Sequence, residues 1–150
     1  MRSAVWAVAA IACGCVCAPA AGVEGAMNTI DQEALQECLE GSAAIALVRV
    51  TTRAVDREGT RSEQTVYGVE VQEVVCGKLP RRLELSRWGG GYEMKVGHHY
   101  MVAVPRGSKP LPDGARGRAL GLVEVNPGEE KAAVEAHRRT LDVLRGGGRP

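Results

Sequence analysis

Between Tyr67 and Val71 the sequence alternates strictly. Tyr67, Val69 and Val71 are separated by Gly68 and Glu70, and Gln72 continues the polar register. Successive side chains of a strand point to opposite faces, so this period of two describes a β-strand with one face in a core. A chain containing such a strand must supply further strands to pair with it. The composition limits how the core is filled. Phe is absent and aromatics make up 3% of residues, so the interior rests on Val, Leu, Ile and Ala. Branched aliphatic side chains pack well on a pleated surface, which again favours sheet.

Turn signals divide the chain into five expected strands between two helices. Ala43–Val55 reads as a long strand, apolar on both faces at Ile45-Ala46-Leu47-Val48, and the polar stretch Asp56–Ser62 as a turn. Cys76-Gly77-Lys78-Leu79-Pro80 turns the chain again, and Arg82–Ser86 alternates as a third strand. A fourth carries Tyr100, Val102 and Val104. A loop rich in Pro and Gly follows from Pro105 to Arg118, and Leu120–Val125 is the fifth. The first helix is expected near Asp31–Glu40. Its start reads as a capping box, with Gln32 three residues after Thr29. The second is expected over Glu129–Leu144, with Asn126 as cap and Pro127 at the first helical position. Five strands with a long internal loop fit a mainly β fold, a five-stranded OB-like barrel with flanking N- and C-terminal helices, because closure removes sheet edges.

The first twenty residues read as a leader. Met1-Arg2 precedes the apolar run Ala4–Ala12, which is of signal-peptide length and too short to span a bilayer. Small-residue cleavage sites end at Ala12, Gly14 and Ala20, so the cut falls between residues 12 and 21 and leaves residues 21–150 as a single domain. Ala12-Cys13-Gly14-Cys15 approximates a lipobox, which would anchor Cys15 through lipid. An exported protein is expected: secreted, periplasmic, or held at the cell envelope as a lipoprotein. Of the five cysteines, cleavage before Cys15 leaves four and three pairings, whereas cleavage after Ala20 leaves only Cys38 and Cys76. Both counts are even, as suits an oxidising compartment.

Charge and motifs exclude several functions. Lys plus Arg total 19 against 18 Asp plus Glu, and Arg2 lies in the leader, so no bulk attraction to nucleic acid is expected. Single-strand binding on a barrel also needs stacking aromatics, which are scarce. His98 and His99 are adjacent, and on a strand they face opposite ways as solvated residues. His137, beside Arg138 and Arg139, is assigned to a polar helix face. No Gly-x-Ser-x-Gly with a suitable acid and base occurs, and Gly89-Gly90-Gly91 lacks the Lys-Ser or Lys-Thr of a phosphate loop. Cysteine and histidine spacings give the chain no metal site or cofactor of its own. Trp88 and Tyr92, which flank the glycines, read first as plugs of the barrel and second as a ligand platform.

Several segments resemble one family. Cys15-Val16-Cys17-Ala18-Pro19 resembles the Cys-x-Cys-x-Pro that opens mature tissue inhibitors of metalloproteinases. Cys38 followed by Ser42–Val50 looks like the family's next cysteine and first barrel strand. Val69–Pro80 resembles the second strand and turn of bacterial netrin-like relatives, although Lys-Gly is usual near Cys76-Gly77. Val96-Gly97-His98-His99-Tyr100-Met101-Val102 is similar to their entry into the fourth strand. The resemblance implies a netrin-like OB barrel. It also implies an inhibitory ridge at Cys15, Val16 and Cys17, where the amine and carbonyl of Cys15 would chelate a target's zinc. The family ties its first two cysteines to partners before the fourth strand and in the fifth. Here Gly89–Tyr92 and Leu120-Gly121-Leu122 stand in those places without Cys. The expectation is therefore a non-catalytic exported binding or structural module, and not an enzyme, with metalloprotease inhibition as the alternative. The expected partner is another exported protein, a metalloprotease among the candidates. Membrane contact would come only through a lipid anchor.

Overall fold

A computed structural model describes residues 29–88, 93–107 and 109–147. The leader, Cys15, Val16, Cys17 and Tyr92 lie outside the described residues, as does the side chain of Trp88. The fold is mainly β, with helix α1 (Gln32–Leu39) before six strands and helix α2 (Glu130–Gly147) after them. The strands are β1 (Ala43–Asp56), β2 (Gln64–Cys76), β3 (Arg82–Trp88), β4 (His99–Pro105), β5 (Ala115–Arg118) and β6 (Gly121–Val125).

They form one sheet in the order β5-β3-β2-β1-β4-β6. All pairings are antiparallel except β3 with β5, in which Leu83–Ser86 run parallel to Ala115–Arg118. The expected fifth strand is β6, and β5 is an additional strand inside Pro105–Arg118, which reads as a loop in the sequence. Ala119 and Leu120 separate them, so consecutive pieces of chain lie on opposite edges of the sheet. β1 carries three register shifts against β2, between Ile45 and Ala46, Leu47 and Val48, and Val50 and Thr52. Bulges of this kind bend a strand and increase its twist. The sheet is accordingly far from flat. A Cβ on Gly117 of β5 would lie 3.1 Å from Val104 of β4, although three strands stand between them in the pairing order.

The two apolar faces of β1 and β4 serve two cores. Ala46, Val48 and Val50 join Tyr67, Val69, Leu83, Leu85, Tyr100, Val102 and Val104 in the inner core of the curled sheet. Ile45, Leu47, Met101 and Ala103 face the other way, under Leu35 of α1 and Val134 and Leu141 of α2. Dividing the interior in this way lets short aliphatic side chains fill it without Phe. From the segment after Trp88 comes Met94, 2% exposed, which caps the inner core. Its backbone N–H donates to the Tyr67 hydroxyl at 3.3 Å, and the N–H of Lys95 donates to the Tyr100 hydroxyl at 2.7 Å.

Both helix starts differ from the sequence reading. Asp31, not Thr29, caps α1: its Oδ1 accepts the N–H of Ala34 at 2.9 Å, while Ile30 and Leu35 are buried on either side of the cap in hydrophobic-staple spacing. Before α2, Asn126–Glu129 form a turn, with the Glu129 N–H on the Asn126 carbonyl at 3.0 Å. Gly128 adopts φ +87°, a left-handed conformation that a helical first turn excludes, so the helix begins at Glu130. Cys38, at the end of α1, forms a disulfide with Cys76, at the end of β2, with Cα atoms 6.3 Å apart. Closing a loop of this length restricts the unfolded chain, a contribution of about 3–4 kcal/mol. Among the described residues no helix is long and apolar enough to cross a membrane.

Candidate functional site

The irregularity at Val50–Thr52 shapes the outer face of the sheet. Thr51 and Thr52 both turn their hydroxyls to one residue of β2: Thr51 Oγ1 donates to the Gly68 carbonyl at 3.0 Å, and Thr52 Oγ1 accepts the Gly68 N–H at 3.2 Å. A Cβ on Gly68 would overlap Thr52 Oγ1, so only glycine fits this close approach. The notch it leaves belongs to an open groove of about 470 Å³ across β1, β2 and β3. Val69 and Leu83 lie beneath it, and Thr51, Glu70, Arg82 and Glu84 line its walls.

The charges around the groove are fixed by one another. Asp113 clamps Arg82 twice: Oδ1 accepts its backbone N–H at 3.0 Å, and Oδ2 accepts Nη2 at 2.7 Å and Nε at 3.1 Å. This clamp draws the Pro-rich loop onto the start of β3. The Arg82 guanidinium holds the Asp113 carboxyl below the usual carboxylate range and is itself pushed upward by that carboxylate. Arg116 of β5 spans two partners, Glu84 Oε2 of β3 at 3.1 Å and Asp56 Oδ2 at the end of β1 at 3.2 Å. The Gln64 amide, and after it Arg116, lowers the proton affinity of Asp56. Tyr67 and then Glu93 raise that of Arg53. Exposed pairs like these orient side chains more than they stabilise the fold. The groove presents oriented hydroxyl, carboxylate and guanidinium edges over an apolar floor, a surface suited to recognising a polar ligand or an extended peptide.

No motif in the sequence marks the groove residues as a site. Gly68 inside an alternating strand was the available signal, since a glycine there marks a bulge or a close backbone approach. Of the residues that the sequence singles out, Cys38 and Cys76 are joined at the helix-side core and are not part of the groove lining. The backbone of Trp88 pairs with Gln64, at the end of the sheet where Gln64 meets Asp56. The inhibitory ridge Cys15, Val16 and Cys17 and the platform residue Tyr92 lie outside the described residues.

The histidines correct the sequence reading. His98 and His99 are engaged, not simply solvated. Nδ1 of His98 lies 2.8 Å from Glu124 of β6, and Nδ1 of His99 lies 3.5 Å from Glu130 of α2. His137 is not on a polar face but fully buried. Its neighbours on the buried stripe, Val134 and Leu141, stand at helical spacing from it, a pattern overshadowed by Arg138 and Arg139. The two histidine–carboxylate pairs remain separate, and no group of three potential metal ligands occurs among the described residues. The sequence matches no known family model and no curated protein.

Proposed function

We propose that the chain is an exported, non-catalytic binding or structural module built on a closed, netrin-like OB barrel, and that it receives another exported protein in the groove beside Gly68. One observation carries this reading: β5 and β6 are consecutive in sequence yet lie on opposite edges of one sheet, with β5 parallel to β3 and β6 antiparallel to β4. A single bent fifth strand running along both edges is how a five-stranded barrel closes without exposed edges. The Leu120 N–H on the Ala103 carbonyl at 2.8 Å, between the two strands, supports continuity across the bend. The cystine supports export, because disulfides persist in oxidising compartments. Glu70, Arg82 and Thr51 then make the groove the recognition surface.

A photo-activated cross-linker at Glu70 in exporting cells tests this reading, with a second at Val143, exposed on α2, as control. The module gives a discrete cross-linked species from position 70 and not from position 143. No species above control from position 70 removes the groove as the binding surface.

The alternative, zinc chelation by a free Cys15, is weakened by the same cystine. Cys38 and Cys76 hold each other and are not available to pin Cys15 or Cys17. An unpinned terminus must be ordered on binding, which costs affinity.

A further inference from the structure

His137 is the one buried basic side chain among the described residues, and both of its ring nitrogens are committed. A carbonyl can only accept, so Nδ1 carries the proton it shares with the Ala133 carbonyl at 2.7 Å. A backbone amide can only donate, so Nε2 is the bare nitrogen that accepts the Ile30 N–H at 3.1 Å. The ring is therefore neutral and held in one tautomer. Ile30 is where residues 1–28 lead into the domain, directly before the Asp31 cap of α1. This bond fastens the beginning of α1 to α2 across 107 residues of sequence.

A second ring proton would turn Nε2 into a donor facing a donor, on a fully buried ring. We propose that His137 is a proton-operated latch: when its ring is protonated, the start of α1 from Ile30 to Leu35 detaches from α2, while the Cys38–Cys76 disulfide keeps the end of α1 fastened to β2. Release uncovers Ile30 and Leu35 on one side and Val134 and Leu141 on the other, all buried in the latched state.

Surrounding charges are engaged elsewhere. On α1, Asp31 takes the Ala34 N–H, and Glu33 is exposed. On α2, Arg138 pairs with Glu73 of β2, and Glu130 with His99 of β4. β1 and β4 bring Ile45, Leu47, Met101 and Ala103 to this core. Burial lowers the proton affinity of the ring below the ordinary histidine value of 6.5, opposed only by the Ala133 carbonyl. The sign follows: the released ring takes up a proton below pH 6.5 more readily than the latched one. Opening therefore rises as pH falls, about tenfold per pH unit, until the latched ring also titrates.

Nitrogen-15 NMR of the full chain reads both halves of the device. Imidazole shifts report the tautomer and protonation of His137. Amide exchange, corrected for its intrinsic pH dependence, reports opening at Ile30 and Leu35 against Val48 and Val102 in the sheet. The latch gives the Nδ1-protonated neutral ring at pH 7.5 and a tenfold-per-unit rise in opening at Ile30 below pH 6.5, with the sheet still protected. His98→Gln and His99→Gln keep that rise, and His137→Phe abolishes its pH dependence. Simultaneous loss of protection at Ile30 and in the sheet overturns the proposal, as does protonation of His137 with Ile30 still protected. Should His137→Phe fail to fold, the wild-type chain alone decides between these outcomes.

Discussion

Gly68 and Thr52 crowd one another in the sheet: a Cβ on Gly68 would overlap the hydroxyl of Thr52, and that hydroxyl accepts the Gly68 N–H. The threonine cannot swing away without breaking that bond, so Gly68→Ala should destabilise the protein by about 1–3 kcal/mol, the range for overpacking. Thr52→Ala removes the overlapping atom and should recover much of that loss in the double variant. Urea denaturation of the two single variants and the double variant measures the coupling. Additive effects would mean that the two residues do not share the notch.

The cystine joins α1 to β2 at the far end from the latch. Cys38→Ala with Cys76→Ala should lower stability by about 3–4 kcal/mol in the loop-closure view. Denaturation of the wild type with and without a reductant should give a similar difference.

Tyr67 and Tyr100 hold successive amides of the segment that caps the inner core. Tyr100→Phe leaves the Lys95 N–H without this acceptor and should cost about 1–3 kcal/mol. Calorimetry checks it: an unchanged transition temperature would show that water or another group replaces the hydroxyl.

Asp113 works differently, because its clamp is at the surface. Asp113→Asn should leave the transition temperature nearly unchanged while speeding amide exchange at Arg82 and Gly114. Its carboxyl is held below the ordinary value of 3.8, so the clamp is intact above that pH and is lost as pH falls through the depressed native value. Exchange at the Arg82 amide should rise in that acid window and not near neutrality.

Strand alternation and helix stripes carried most of the fold into the sequence. Tyr67 and Val69 are buried as their spacing requires, and the doubly apolar run at Ile45–Val48 reflects a strand between two cores. β5 was not legible. Its four residues, Ala-Arg-Gly-Arg, carry too little apolar pattern within a Gly- and Pro-rich stretch, and parallel pairing with β3 makes them a strand. The groove was equally hidden, because it depends on Asp113 finding Arg82 and on a bulge that brings two threonines to one glycine. Propensity does not encode such distant meetings. In the sequence the two arginines beside His137 outweigh the apolar stripe that it completes, so its burial does not show there.

The account of an exported binding module is tested most directly by the intact mass of the protein recovered from cells that secrete it. The account predicts a chain without its leader, with Cys38 and Cys76 oxidised, and with an N-terminus that is either lipid-modified at Cys15 or cut beyond it. A chain that retains Met1 and the leader with reduced cysteines would contradict export. A free amine at Cys15 would permit zinc chelation, whereas an acylated Cys15 or a cut beyond it would rule chelation out.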